Sequence, residues 1–503
     1  MRPHLFFRAS ALAAFALVIA PTLARADFNS AVADYAAQRF EPARAEFESL
    51  AALGDGASQF NLGAMYLRGE GVAKDRATGV GLMLAAAQNG FAGLGPEKLA
   101  ALQAGFTAPE QATVKAVLDR YGRDALELKG VPAELPVLST PGGCGNFQHA
   151  EYETIANRNA AFAEYEQDGL IVLDLTVGID GLAHDPEVLL AFPPNFFDKD
   201  IINSYLQSRF KPAIRDGQPT PARVRVHMTT AVEGGGRLWA PSRFAQIRER
   251  AEKGQPDAQY FIGMAGSLDP TLGIASEHAH EMVLGAAKGG YPRAQYLVGV
   301  FEAPGPGCTS HARSDLWFEE AARRGEAAAS IALARDLLNA KPGPPDLARV
   351  RALIQTSSGS SEAYVLRHAI ALEVDPRLDP ADASRLGALA ERLQKAMNRI
   401  DPEDYDALAA AAAVNGDYPA AVSAGEHALS LAKGLYWNTS AIEERLAGYR
   451  AHRAFHGDLL DLPPRSTPPP PVTGRTLTSC TGSQCGRQKA DEKQKKLGSG
   501  IAR

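Results

Sequence analysis

The sequence predicts a multidomain α+β protein in which solenoid-like helical repeats flank a small module of antiparallel sheet and one helix. Two observations carry this prediction. Ala-rich blocks recur at a fixed step on both sides of the centre, whereas residues 168–235 show the alternating apolar positions of strands. The predicted order is a leader at 1–26, helical repeats at 27–130, a linker at 131–167, the module at 168–235, repeats at 240–340, a further helical region at 341–455 and a disordered, basic Pro-rich tail at 460–503.

The first 26 residues predict a cleavable secretory signal. Arg2 and Arg8 flank its start, residues 9–20 are almost wholly apolar, and Ala24-Arg25-Ala26 suits a signal peptidase. Cleavage would leave Asp27 first and would change the formal charge from −6 to −9, because three arginines and no acid leave. That charge disfavours nucleic acid as a partner. The apolar run is about half of the roughly 20 residues that a spanning helix needs. We therefore expect a periplasmic protein, with an inner-membrane protein facing the periplasm as the alternative.

Related Ala- and Gly-rich blocks occupy the segments 27–130 and 240–340. The block around Ala258 is echoed around Ala294, 36 residues later, and a similar block runs from Leu53 to Gly90. Small side chains let two helices pack closely, whereas glycines such as Gly69 release the chain into turns. We predict helical hairpins that bury their apolar faces against their neighbours.

These blocks resemble the Sel-one-like repeat, a relative of the tetratricopeptide repeat. Between Pro342 and Pro402 the pattern is weaker, and we predict further helices there from leucines such as Leu366. The resemblance implies an extended protein-binding surface, although Ala-rich periodicity by itself indicates only helix packing. An ordinary tetratricopeptide-type copy is indicated by Tyr405, Ala407, Ala411, Gly416, Asp417, Tyr418, Ala421, Ala424, Ala428 and Leu429.

The central module predicts three strands and one helix. Apolar side chains at every second position from Ile171 to Ile179 are typical of a strand with one buried face. Asp180-Gly181 then predicts a hairpin turn. Further on, Pro and Gly residues exclude regular structure between the helix and the last strand. The predicted order is strand 171–179, strand 187–190, helix 201–210, the irregular segment 209–221 and strand 223–230.

The module resembles the C-terminal domain of the TonB family, bacterial energy transducers that contact outer-membrane receptors from the periplasm. The resemblance covers residues 168–232 and rests on the Asp180-Gly181 turn, on residues 196–198 and on the run 209–219. It implies an edge strand that pairs with an extended peptide through main-chain groups. We expect the last strand to be this edge, with the binding residues Arg223, Val224, Arg225, Val226, His227, Met228, Thr229 and Thr230.

The composition of the tail predicts a solvated tether, and the four cysteines suggest disulfides. From residue 463 onward the tail holds eight Lys or Arg residues against two acids, which favours a solvated tether over a tail that grips an acidic surface. Cys480 and Cys485 lie close together in this segment, and we predict a disulfide between them. The pairing of Cys144 and Cys308 stays open. A metal site is the weaker alternative, because no Cys-x-x-Cys motif accompanies these residues.

No residue pattern predicts a catalytic, metal or cofactor site. The histidines of the segment 278–281 stand two positions apart and would face different ways on a helix. Asp180 is explained by its turn, and Asp185 by its place before a proline. No nucleophile elbow, phosphate-binding loop or dinucleotide fingerprint occurs. Core positions are favoured over a sugar-binding platform for the tryptophans, which are Trp239, Trp317 and Trp437.

We therefore predict a non-catalytic adaptor without a cofactor. The module would bind one envelope partner by strand addition while the repeats bind a second. The partners would be envelope proteins or peptides, and the resemblance implies outer-membrane receptors among them; the membrane is a partner only if the leader is retained. One alternative is a membrane-anchored energy transducer for outer-membrane transport, but the short apolar segment and the missing Pro-rich spacer depart from that family. The other is a cell-envelope polymer-processing enzyme.

Overall fold

The structure is a computed structural model, and it describes residues 27–135, 147–154, 169–192, 198–230, 241–268, 272–302, 312–339, 344–379, 381–397, 399–460 and 464. The leader 1–26, Trp239 and the tail beyond residue 464 lie outside the described residues. All four cysteines do so as well, including the pair predicted to form a disulfide, Cys480 and Cys485. The predictions made for these segments are not tested.

The described residues form helices on both sides of a group of strands. The elements are α1 (Phe28–Ala36), α2 (Phe40–Ala51), α3 (Gly56–Arg68), α4 (Arg76–Gln88), α5 (Pro96–Gln103), α6 (Ala108–Tyr121), α7 (Arg123–Leu128), β1 (Phe147–Gln148), β2 (Glu151–Thr154), β3 (Gly169–Val177), β4 (Ala183–Phe192), α8 (Asp198–Leu206), β5 (Arg209–Lys211), β6 (Ala213–Arg215), β7 (Gln218–Thr220), β8 (Ala222–Thr230), α9 (Pro241–Glu252), α10 (Pro256–Leu268), α11 (Ser276–Lys288), α12 (Pro292–Glu302), α13 (Ala312–Arg323), α14 (Ala327–Asn339), α15 (Leu347–Ser357), α16 (Ala363–Glu373), α17 (Ala383–Ala396), α18 (Pro402–Val414), α19 (Tyr418–Gly434) and α20 (Ser440–Arg450).

Consecutive helices pack as pairs, which confirms the predicted helical hairpins. The pairs include α3 with α4, α10 with α11, α12 with α13, α14 with α15, α16 with α17 and α18 with α19. From α10 to α18 the first helices of successive pairs begin 35 to 39 residues apart, so the predicted step continues through the region of weak pattern. Close approach depends on small residues: a Cβ on Gly63 of α3 would stand 2.8 Å from the Gly79 carbonyl oxygen of α4. Gly69 ends α3 with a φ of +78°.

The predicted strands and helix of the module are confirmed as a sheet in the order β4-β3-β8, with α8 following β4. The sheet is antiparallel throughout, and β3 pairs with β8 from Gly169 opposite Thr230 to Val177 opposite Ala222. One face packs with α8 in a core that contains Ile171 and Tyr205. The other face is buried too, because Val172 belongs to the core of the helical array.

Three details of the module prediction are wrong. Burial on both faces replaces the single buried face expected for β3, because helices cover the side opposite α8. Ile179 is not part of the buried stripe, since 40% of it is exposed beyond the end of β3. Phe210 is not helical, because α8 ends at Leu206, but Phe210 still packs against that helix from β5.

The segment 209–221 also differs from its prediction, because it carries three short strands. β6 and β7 form a hairpin around Asp216-Gly217, in which Ile214 lies opposite Pro219. β5 pairs with β2, and β6 also pairs with β1, so the stretch expected to be a linker at 131–167 contributes two strands. The prolines are tolerated because these strands are only two to four residues long and lie largely at sheet edges.

The helices before and after the module pack against each other. The N–H of Phe28 donates to the carbonyl of Gly289 at 3.1 Å. The Arg324 guanidinium, with 1% of its side chain exposed, pairs with Glu46 at 2.6 Å. Leu53 of the first block shares a core with the helices from α10 onward. The module is therefore inserted, in sequence, into one packed array of helices.

Candidate binding site

The edge strand β4 lies along the first helices of successive pairs. These helices present long polar side chains toward the strand, and the side chains bind its main chain. Helices α10, α12, α16 and α18 each bind one main-chain group, from Leu189 back to Asp185 along β4. The Tyr260 hydroxyl donates to the Leu189 carbonyl at 2.9 Å, and Arg293 donates to the Val188 carbonyl at 2.6 Å. Arg367 donates to the Pro186 carbonyl at 3.4 Å, and Glu403 accepts the Asp185 N–H at 2.9 Å.

A bulge in β4 brings Asp185 to the centre of this contact. Asp174 pairs with Glu187 and Thr176 with His184, so the single residue Leu175 faces two residues of β4. Asp185 has a φ of +52°, which is a strained conformation for a residue with a Cβ. The explanation of Asp185 by its place before a proline is therefore incomplete, because the bulge directs its carboxylate to the helices.

The Asp185 carboxylate has three cationic or polar partners. Its Oδ1 atom accepts from Arg367 at 3.0 Å and from His368 Nε2 at 2.8 Å, and Oδ2 accepts from Arg223 at 3.3 Å. Burial by itself would raise the pKa of Asp185, but His368 and the two arginines outweigh burial and hold the pKa well below its usual range. Burial lowers the pKa of His368 to about 4 despite the Asp185 charge, so its ring is neutral at pH 7.

Two further carboxyl groups complete what we call the acid–arginine cluster. Burial raises the pKa of Glu187 to about 7, against the attraction of Arg293 and Arg223. Burial and the charge of Asp401 raise the pKa of Glu403 well above its usual range. Because these buried groups pair across the interface, the cluster anchors the sheet to the helices. Its members are Asp185, Glu187, Arg223, Arg293, Arg367, His368 and Glu403.

Sequence reasoning missed most of this cluster. Its partners are far apart in sequence, as in the pairing of Asp185 with Arg367, and no local pattern joins them. One signal was present: Arg367 and His368 interrupt the apolar run 363–372, which is otherwise the composition of a buried helix. A charged residue in such a run needs a buried partner.

A cavity of about 590 Å³ opens beside the cluster. The tip of the β3–β4 hairpin forms one wall, the ends of α14 and α16 form another, and Asp458, Leu460 and Pro464 line a third side. Its volume falls within the range of about 300–1,000 Å³ typical of small-molecule sites. The lining residues are Thr176, Gly178, Ile179, Asp180, His184, Asp185, Pro221, Arg335, Leu338, Asn339, His368, Ala371, Leu372, Asp375, Arg377, Glu403, Asp458, Leu460 and Pro464.

The predicted pairing strand, residues 223–230, lies at the other edge of the sheet, as β8. The Tyr205 hydroxyl donates to the His227 carbonyl at 2.9 Å, so this carbonyl faces away from β3. Antiparallel pairs alternate, and the main-chain groups of Arg225 therefore also face outward. The alternate residues Val224, Val226 and Met228 are buried. Within the described part of the chain, no strand pairs with this outer edge.

The other candidate residues are not brought together. His278 contacts Glu281 at 3.3 Å on α11, and both side chains are more than half exposed. Within the described ranges, no group of His, Cys, Asp and Glu residues could hold a metal ion. Trp317 and Trp437 are buried in two different cores, which confirms the core assignment for these two residues. No helix among the described residues is long and apolar enough to cross a membrane.

No family model and no curated protein matches this chain. Among solved structures, it is similar to a Sel1 repeat protein from Oxalobacter formigenes, with a TM-score of 0.27 and 13% identity over 74% of this chain and 100% of that chain. It is also similar to a protective antigen with an SLR fold from uropathogenic Escherichia coli, with a TM-score of 0.26 and 16% identity over 82% of this chain and 64% of that chain. Because both scores are low, the helical-repeat architecture rests on the helix pairing within this chain. The likeness of the module to the TonB family stays a prediction.

Proposed function

We propose that this chain is a non-catalytic protein-binding adaptor of the bacterial periplasm. One observation carries the proposal: the two edges of the central sheet have different surroundings. Side chains of four helices bind the main chain of β4, whereas β8 receives no further strand from the described residues. An edge that the fold itself satisfies has no use in strand addition, so β8 is the edge on which a partner would bind.

In this mechanism an extended segment of an envelope protein adds to β8. The main chain of β8 would form the new hydrogen bonds, and Tyr205 would release the His227 carbonyl. The buried side chains of β8 hold the strand in place under α8, so little ordering is needed on the adaptor side. The helical array, which clamps β4, keeps the sheet rigid and offers its remaining surface to a second partner.

The test uses photo-crosslinking in bacterial cells, with a photoreactive amino acid at Ala222, the first residue of β8. We expect a discrete crosslinked envelope protein. His227→Pro removes an outward N–H without breaking a bond to β3, and it should abolish the crosslink while the melting temperature changes little. His227→Ala keeps the N–H and should crosslink normally. Equal loss of the crosslink in both variants would mean that the partner recognises the His227 side chain. An unchanged crosslink in both variants would mean that the partner binds elsewhere.

Periplasmic export is supported by the role of Asp27, the residue that cleavage would leave first. Asp27 is the N-cap of α1 and accepts the Ser30 N–H at 2.9 Å, so cleavage before it would keep this cap. Mass spectrometry of the soluble envelope fraction should find Asp27 at the N-terminus. An intact Met1 in the inner membrane would replace the adaptor with an anchored energy transducer. Turnover of cell-wall material by the purified chain, measured against a buffer blank, would refute the non-catalytic assignment.

A further inference from the structure

The charges around the cavity beside the acid–arginine cluster are unevenly compensated. On its rim, Arg377 pairs with Asp375 at 2.7 Å. The carboxylate of Asp458 accepts the Leu460 N–H at 3.2 Å, and that of Asp180 accepts the Leu182 N–H at 3.2 Å. These acids thus have donors within the chain.

Arg335 differs from Arg377, the other arginine that lines the cavity. Its side chain is exposed to the cavity, and within the described ranges it has no ion pair. The nearby Asp185 carboxylate is already shared by Arg223, Arg367 and His368. Burial opposes the charge on Arg335, but nearby Tyr364 and Asp185 outweigh it and raise the pKa of the guanidinium, so Arg335 is charged. A guanidinium that lines a cavity without an ion pair is suited to bind a planar anion with two parallel hydrogen bonds.

Asn339 adds a second donor beside Arg335. It stands four residues later on α14, so both side chains lie on one face of the helix, one turn apart. The Asn339 Oδ1 atom accepts from Arg377 at 3.0 Å, which turns the amide nitrogen toward other acceptors. The lining also includes apolar side chains: Ile179 is 40% exposed at the hairpin tip, and Leu372 lines the cavity from α16.

We propose that this cavity binds a carboxylate joined to a small apolar body, with the carboxylate on Arg335 and Asn339 and the apolar part against Ile179 and Leu372. Burial and the charge of Asp401 raise the pKa of Glu403, so this neighbour carries less negative charge against the ligand than a free carboxylate would. A free organic acid and the C-terminus of a peptide present the same chemistry. The site is separate from the outer edge of β8, so neither proposal depends on the other.

Isothermal titration of the mature full chain tests the proposal with three probes. These are hexanoate, an N-acetylated tripeptide ending in leucine with a free carboxylate, and the same tripeptide with a C-terminal amide. We expect saturable binding of a carboxylate probe at about 5 mM or below and at least about tenfold weaker binding of the amide. A preference for hexanoate identifies a free acid as the source, and a preference for the tripeptide identifies a peptide end.

The variants show whether the named residues are responsible. Arg335→Gln should weaken carboxylate binding by about tenfold or more. Arg392→Gln, which removes an exposed arginine of α17 outside the cavity lining, should leave it unchanged. Ile179→Ser alters only an exposed side chain and should weaken hexanoate more than acetate. Stronger binding of hexylamine than of hexanoate, equal binding by Arg335→Gln and the parent chain, or no saturable binding of either carboxylate would each overturn the proposal.

Discussion

Removal of the Arg367 guanidinium is the sharpest test of how the sheet is anchored. Only 1% of this side chain is exposed, and it pairs with Asp404 at 2.7 Å, Asp401 at 3.0 Å and Asp185 at 3.0 Å. Arg367→Met keeps most of the volume but leaves buried carboxylates without their cation. Breaking a buried pair in this way costs about 3–5 kcal/mol, and we expect the free energy of unfolding to fall by that amount at pH 7.5.

The same loss should depend on pH in a defined direction. In the parent chain the pKa of Asp185 is below its unfolded value, so its stabilisation is present at neutral pH and is lost only in acid. Without Arg367, burial dominates and the pKa of each stranded carboxyl rises, so these groups take up protons as the pH falls toward 5. The deficit of Arg367→Met should therefore shrink by about half or more between pH 7.5 and pH 5.

Urea unfolding followed by tryptophan fluorescence and far-ultraviolet circular dichroism measures both effects. Trp317 and Trp437 lie in two different cores, so the fluorescence reports on the helical array and on the α8 face of the sheet together. Arg392→Met, on the exposed surface of α17, is the control and should change stability by less than about 0.5 kcal/mol. A deficit for Arg367→Met below about 1 kcal/mol, or one that is equal at both pH values, would refute the anchoring role.

Three further substitutions have defined outcomes. Gly63→Ala should cost about 1–3 kcal/mol in urea unfolding, because its Cβ would stand 2.8 Å from a carbonyl oxygen of the facing helix; Gly359→Ala, which meets nothing within 4 Å, is the control. In the parent chain, His368 should lower the stability by on the order of 3 kcal/mol between pH 6.5 and pH 4. The cause is that its imidazole binds a proton in the unfolded state but stays largely neutral in the folded state, where its pKa is about 4. His368→Gln should remove this part of the pH dependence. Equal pH profiles for that variant and the parent would contradict this. Tyr260→Phe leaves the Leu189 carbonyl without its donor and should lower the free energy of unfolding by about 1–3 kcal/mol, measured by thermal unfolding. An unchanged free energy would mean that water replaces the hydroxyl.

Local patterns predicted the helices and strands well where a single periodicity in the sequence determines the structure. The alternation of Ile171, Leu173 and Leu175 placed β3, and the repeated Ala and Gly positions placed the helix pairs. The rules failed where the tertiary environment decides. Val172 faces helices that lie elsewhere in the sequence, so a single buried face was expected where both are buried. The segment 209–221 contains prolines that forbid long strands, yet they permit the short edge strands that form.

The candidate site was less predictable because it is built from contacts of long range. The Asp185 N–H and its acceptor Glu403 are 218 residues apart, and the cavity needs helices from three different pairs. A carboxylate before a proline carries no sign that a bulge will turn it toward an arginine. The predicted edge strand was reached through a family resemblance, and the structure adds a physical distinction between the two edges that the sequence alone does not contain.

The position of β4 changes what the helical repeats can be expected to do. Arrays of helix pairs present extended surfaces that bind ligands, and in this chain the first helices of four pairs bind its own strand. The groups that would read a ligand's main chain, among them Tyr260, Arg293 and Glu403, already bind β4. A partner that enters this surface would have to displace a strand anchored by buried ion pairs, at a cost of several kcal/mol. Partners of the intact fold are therefore expected at the outer edge of β8, in the cavity beside Arg335, or on the remaining outer surface of the helices.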